Sequence, residues 1–309
     1  MSNLAFFINQ LDQLDPKLYE PLWEVTWGRD INLRPDVQLG QKSTSYVRST
    51  FGSPGSQSAL GQPWLAQNGN NLPGVSVDGE QVVTPVRELG REVSYTSIEL
   101  ATSQRTSQNI DVQKYNGLNI MYQMGTDQMV YTGDPEVEAY GLVNSPLVTS
   151  GTVANGVSLA TEWVDKTPDE ILADINTLLE STWTATGQTT CPNKLLIPSA
   201  QYALISGLKV SQAADKSVLT YVQENSLSTS INGVQLDIKP SKYLTSAGAG
   251  GSSRMVAYTN REDLLRFPMV PIQRQTPYFV GISYNCPYVW AYGEVEFVYP
   301  ESIQYADGI

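Results

Sequence analysis

The chain has 309 residues, a net charge of −12 and a sequence pI near 4.5, with 41% hydrophobic and only 16% charged residues. A chain of this length buries one large or two modest cores without staples. Its 19 Lys and Arg form no basic block, which excludes a module that reads DNA through clustered phosphate contacts.

Residues 1–35 read as an apolar and aromatic arm. Leu4, Phe6, Phe7, Ile8 and Leu11 are followed by Tyr19, Leu22, Trp23 and Trp27, and Pro16, Pro21 and Pro35 interrupt any long helix. Two readings stand: a short helix packed on its own domain, or an arm laid across a neighbouring subunit. No basic n-region precedes the apolar residues, and Asp12 and Asp15 break them up, so no signal peptide is expected. No run reaches the ~18 uninterrupted apolar residues of a membrane span, and a cytoplasmic site of synthesis is expected.

Residues 36–95 hold short alternating runs, at 44–47 and 82–86, around a Gly/Pro/Ser/Asn/Gln stretch from 52 to 79. GSPGSQS and NGNNLPG are turn chemistry. Inserts of this length are usually functional or linkers. The reading is an extended two-stranded arm with a polar tip, with a disordered loop as the alternative. Residues 96–130 predict a long helix with a core stripe of Ile110, Leu118, Met121, Met124 and Met129, weakened by Gly117 and Gly125.

The segment VYTGDPEVEAYGLVNSPLVT follows, then a Gly/Thr/Ser-rich connection. TPDEILADINTLLESTWT (167–184) predicts an amphipathic helix. Thr167 is its N-cap, Pro168 fits N1 and Glu170 completes a capping box, with Ile171, Leu172, Ile175, Leu178 and Leu179 on one face. NKLLIPSAQYALI reads as a strand, a break and a short helix opened by Ser199. Residues 217–225 read as helix, 234–238 as strand and 243–253 as a flexible loop. Strands are predicted at 254–258, 278–284, 289–290 and 294–299. No internal repeat is visible.

The inventory for chemistry is nearly empty. Histidine is absent, which excludes Ser-His-Asp and Cys-His catalysis and His-ligated metals. Cys191 and Cys286 have no zinc-type spacing and read as buried thiols; nothing selects a disulfide between them. AGAGG at 247–251 lacks the GKS/T of a phosphate loop and reads as a mobile loop at a subunit junction. Asp165, Asp169, Glu170 and Asp174 read as helix-dipole compensation rather than a metal site. Glu294 and Glu296 alternate on a predicted strand and read as a solvated face rather than a glycosidase pair. Ser199 has no nucleophile elbow. No catalytic residue, metal or cofactor is expected. The low charge, offset by Ser, Thr, Asn and Gln, suits contact with other subunits and equally an ordinary secreted β protein.

The order of these parts resembles the major capsid proteins of tailed bacteriophages, the HK97-like fold. Three stretches carry the resemblance. The first has Gly133 and Asp134 followed by Gly141, Leu142, Asn144 and Pro146; the second is TPDEILADINTLLESTW with PNKLLIPSAQYALI; the third is RMVAYTNREDLLRFPMVP with the closing YPESIQYADGI. The resemblance implies an α+β fold with an N-terminal arm (1–35), an extended loop (36–95), a peripheral domain with a spine helix (96–165), a mixed α/β axial domain (166–290) and a C-terminal strand segment (291–309). It implies a protein that assembles as pentamers and hexamers into an icosahedral shell, enclosing double-stranded DNA without reading its sequence. A scaffolding protein, a portal and a decoration protein are the implied partners, with no membrane. Assembly in the cytoplasm of a bacterial host and residence in the virion follow. The candidate subunit contacts are Phe6, Phe7, Trp23, Trp27, Trp64, Gly248, Gly250 and Gly251.

The chain departs from the best-known pattern in having no long charged N-terminal segment, which points to a separate scaffolding protein. Lys42 is the extended arm's only candidate for a covalent cross-link and has no assigned partner, so autocatalytic cross-linking is not expected. The alternatives are the shell of an encapsulin-type nanocompartment and a carboxylate-dependent enzyme.

Overall fold

Alternation of apolar side chains builds two sheets around two cores. The computed structural model describes residues 23–52, 76–106, 110–211 and 214–309. Phe6, Phe7, Trp64 and the tip of the extended arm lie outside the described residues.

The chain enters through a single helical turn α1 (Trp27–Asp30) and strand β1 (Asn32–Arg34). Strands β2 (Ser43–Gly52) and β3 (Ser76–Pro85) pair antiparallel along their whole length, as the predicted two-stranded arm. Strand β4 (Arg87–Thr96) then leaves the arm. Sequence reading grouped it with the extended loop, but it pairs over all ten residues with β15 (Ser283–Tyr292). Helices α2 (Ser97–Thr106) and α3 (Ile110–Tyr131) follow.

The buried stripe of α3 overlaps the predicted one in part: Leu118 is buried, and Ile110 and Met129 pack against the core. Leu118, Tyr122, Thr126 and Val130 are buried at four-residue spacing, joined by Asp127 and Tyr131, whereas Met121 is 53% exposed. Helical periodicity admits either row, and the aromatic row wins because Tyr122 packs edge-on to Trp290 at 5.6 Å and stacks beside Tyr292.

The end of α3 explains the glycine motif. A two-stranded ribbon, β5 (Gly133–Asp134) and β6 (Ala139–Tyr140), returns the chain onto the helix. Leu142 and Val143 N–H groups then donate to the carbonyls of Val130 and Tyr131, capping the helix C-terminus. A Cβ on Gly141 would lie 2.2 Å from the Tyr131 carbonyl oxygen, so only glycine fits this return. Asn144 locks it, accepting from Gly141 N–H at 2.8 Å and donating to Thr132 O at 2.7 Å.

The remaining elements are β7 (Thr149–Thr152), α4 (Pro168–Ala185), β8 (Lys194–Ile197), α5 (Ser199–Gly207), β9 (Lys209–Ser211), β10 (Ala214–Ser217), α6 (Val218–Asn225), α7 (Leu227–Asn232), β11 (Asp237–Pro240), β12 (Arg254–Tyr258), β13 (Leu265–Arg274), β14 (Tyr278–Val280), β16 (Glu296–Phe297) and β17 (Ile303–Asp307). A six-stranded sheet runs β1-β13-β15-β14, with β16 on β13 and β4 on β15. A five-stranded sheet runs β11-β8-β12-β17-β7. Strand β7 thus belongs with the C-terminal β17 rather than with the helix before it.

Strands β8 and β12 are buried on both faces. Leu195, Ile197, Met255 and Ala257 point into a core with α4, α5 and α6, while Leu196, Val256 and Tyr258 point into the core of α3 and the six-stranded sheet. One sheet therefore walls both cores.

Candidate assembly surfaces

The extended arm stands away from the body on a charged base. Among the described residues, β2 and β3 make their strand pairing only with each other. Ten residues span about 33 Å. Register places Ser45 opposite Val83 and Val47 opposite Gln81, so Val47, Val83 and Val77 share one face. They are 65%, 57% and 65% exposed, three valines that no other described element covers.

Glu296 fixes the base. Its side chain is fully buried and receives Arg34 Nη1 at 2.9 Å, Arg266 Nε at 2.7 Å and the Thr44 hydroxyl at 2.7 Å. The Tyr46 hydroxyl donates to Phe297 O at 3.0 Å. Glu296 therefore ties β1, β2, β13 and β16 together. This corrects the solvated strand face read from sequence: β16 is only two residues long and docks on the edge of β13, so burial demanded the two arginines. Glu294 lies outside that strand, accepts from Tyr140 N–H at 3.1 Å, and is pushed above the ordinary carboxylate range by burial.

The incoming chain is tethered to α3 by two buried aspartates. Asp127 Oδ1 accepts from the N–H groups of Thr26 and Trp27, each at 3.0 Å, while its Oδ2 accepts from the Tyr243 hydroxyl at 3.0 Å. Trp27 Nε1 donates to Gln123 at 3.0 Å, and its ring packs on the subunit's own core. Trp23 is half-exposed, with the Lys242 ammonium 4.0 Å from its ring centre. Asp30 is bidentate to Arg29 (2.7 and 2.8 Å), lies 3.0 Å from Lys194 and accepts from the Tyr131 hydroxyl. Burial alone would raise its carboxyl. The bonds from Arg29 and Tyr131 and the Lys194 charge outweigh burial and hold it below the ordinary range.

The glycine loop is pinned rather than loose. Residues 242–244 and 249–251 form short 3-10 turns, a correction to the flexible loop expected there. Asp307 accepts from Ala249 N–H at 3.0 Å and pairs with Arg254 at 2.6 and 2.9 Å, while Arg254 also donates to Val143 O at 2.7 Å. A Cβ on Gly248 would lie 3.0 Å from the Asp307 carboxyl carbon. Gly250 and Gly251 hold φ of +69° and +82° with open space around them.

The remaining acidic candidates are structural. Glu170 accepts from Thr167 N–H at 2.8 Å and Val157 N–H at 2.6 Å, which lowers its pKa. Asp174 is buried against Lys166 at 2.6 Å and accepts from the Trp163 indole. Cys191 and Cys286 are buried free thiols. No group of His, Cys, Asp and Glu among the described residues has the clustering of a metal site. No helix there is long and apolar enough to cross a membrane.

Sequence reasoning missed Asp30, Asp127 and the Arg254–Asp307 pair, and found Glu296 without its burial. Asp127 did leave a signal, since it sits on the apolar side of a helix four residues before Tyr131. The others are assembled from distant segments and leave none.

The profile of the family described as Major capsid protein matches residues 61–309. No curated protein sequence matches the chain. Among solved structures, the chain is similar to the capsid of Myoviridae phage XM1, with TM-score 0.79 and 14% identity over 97% of this chain and 98% of that one. It is also similar to the capsid of a native GTA particle, with TM-score 0.62 and 11% identity over 99% and 98% of the two chains. The virus-like particle from Pyrococcus furiosus matches with TM-score 0.53 and 13% identity over 99% and 97%.

Proposed function

The chain belongs to the family of major capsid proteins, and from that premise we propose that the extended arm, the N-terminal tether and the glycine loop are the contacts by which it closes a shell. Its fold is HK97-like and its role that of a shell-forming capsid protein. The family match favours a viral shell over a nanocompartment or a carboxylate enzyme.

The observation that carries the contact reading is the arm itself. An uncovered face of Val47, Val77 and Val83, on a hairpin whose base is fixed by buried charge, has no partner among the described residues. A second copy supplies one, and each burial adds about 25 cal/mol per Å² of apolar surface. Phe6, Phe7, Trp23 and Trp64 add aromatic contact area in the assembled state, with Trp27 anchoring the arm to its own subunit, while Gly248, Gly250 and Gly251 let chains crowd at a symmetry axis. Pentamers and hexamers of one chain then need heterologous contacts that close into rings. The segment divisions 1–35, 36–95, 96–165, 166–290 and 291–309 serve as its working units.

Scaffolding, portal and decoration proteins complete the partner set, with assembly in the bacterial host's cytoplasm. The net charge of −12 supports a shell that encloses double-stranded DNA by containment, since it offers phosphates little to hold.

Negative-stain electron microscopy of the purified protein, alone and with its neighbouring gene products, tests this. Closed particles or hexamer-sized rings are expected. Val83→Asp should abolish them while shifting monomer stability by no more than about 0.5 kcal/mol, because the site is exposed. A uniform monomer under every condition, or normal particles from Val83→Asp, overturns the contact reading.

A further inference from the structure

An open groove of about 630 Å³ lies between the start of α3, α2 and the sheet strands β4, β13 and β15. Its walls are Tyr95, Leu100, Tyr115, Ile272, Tyr284 and Tyr288. Nothing among the described residues fills it. At its mouth, exposed Arg274 touches the Cys286 sulfur at 3.4 Å and holds no ion pair among the described residues. The groove thus offers a deep aromatic and aliphatic floor with one unpaired cation at the edge.

The chain carries a segment of matching chemistry. Leu4, Phe7, Ile8 and Leu11 stand at the i, i+3, i+4, i+7 spacing of one helical face, and Asp12 and Asp15 follow directly. Its reach also matches. The chain is fixed at Trp23 by Lys242 and at Trp27 by Gln123. Tyr115 lies eight residues before Gln123 on the same helix, about 12 Å at 1.5 Å per residue. Residues 12–22 span up to about 36 Å when extended. A tether of that length sets an effective concentration on the order of millimolar, well above that of a second copy in micromolar solution.

We propose that in the unassembled subunit residues 4–11 dock in this groove of their own chain, with Asp12 or Asp15 facing Arg274. The docked segment keeps its apolar face out of water and is released for contact with a neighbour when the shell forms. This goes beyond the shell reading, which requires no particular storage site for the arm.

Cysteine trapping tests it on the full chain. Phe7→Cys is combined with Tyr115→Cys, and separately with Val164→Cys as an exposed site in the other core's layer, both on a Cys286→Ser background because Cys286 lines the groove; native Cys191 is buried. After oxidation at micromolar concentration, the expected product is a monomer-sized band containing the 7–115 link, about tenfold or more over the 7–164 link. A link found only in a dimer band overturns docking in the same chain. Hydrogen exchange on the unmodified monomer gives the second arm: amides 4–11 should be protected, and Tyr115→Glu should abolish that protection. No 7–115 link together with unprotected amides overturns the docking altogether. Electron microscopy of the same preparations reads the shell separately, so a monomer fraction with neither the link nor the protection, from protein that still forms particles, sinks this inference and leaves the shell reading standing.

Discussion

Glu296 shows how a single carboxylate sets the geometry of an element it does not belong to. Two arginines and a threonine from other segments converge on it, and its side chain is fully buried. Glu296→Ala would leave two partly buried guanidinium groups facing each other, a change of about 3 kcal/mol. Urea denaturation measures that loss, and hydrogen exchange should show the first residues of β2 opening before the rest of the fold.

Asp30 makes the matching case in the pH domain. Its folded pKa lies below the unfolded value, so its contribution is present above about pH 4 and is lost as the pH falls through the depressed folded value. Asp30→Asn should be less stable at pH 7, with a flatter dependence of urea midpoint on pH, and the two curves should converge toward the acid end. Parallel curves would show that Asp30 is not the titrating group.

At the scale of elements, two glycines separate conformation from space. Gly250 sits at φ +69° with nothing nearby, so Gly250→Ala should lose about 1 kcal/mol from backbone conformation alone. Gly141 lies outside the left-handed region, but a Cβ there would meet the Tyr131 carbonyl at 2.2 Å, and Gly141→Ala should lose about 3 kcal/mol. Thermal melts of the two variants compare the effects directly.

The same elements show what the sequence made legible. The capped helix α4, the paired arm β2–β3 and the strand-break-helix of β8 and α5 rest on local signals, and each is found where periodicity, turn chemistry or a cap placed it. The stripe on α3 was read correctly at Ile110, Leu118 and Met129, but Tyr122 was missed and Met121 misplaced, because packing against Trp290 and Tyr292 chooses the row. The pairing of β4 with β15 was not legible because the two strands lie almost two hundred residues apart. The glycine loop was read as mobile because its anchor, Asp307, comes from the last strand. The buried acids escaped for the same reason: their partners are set by topology.

For the whole molecule, low charge and two cores are parts of one design. A surface carrying few ions loses little on desolvation when copies pack side by side. The five-stranded sheet lies between both cores, and the N-terminal tether reaches it directly, since Lys194, at the start of β8, faces Asp30 at 3.0 Å. Strand β8 is flanked by β11 and β12. A pull on the tether, as from the pressure of a filled container, is therefore delivered to a strand held on both edges and sealed on both faces. Such a strand has no free edge from which unzipping could begin, so the grip on the tether sits at a place where both neighbours must yield together.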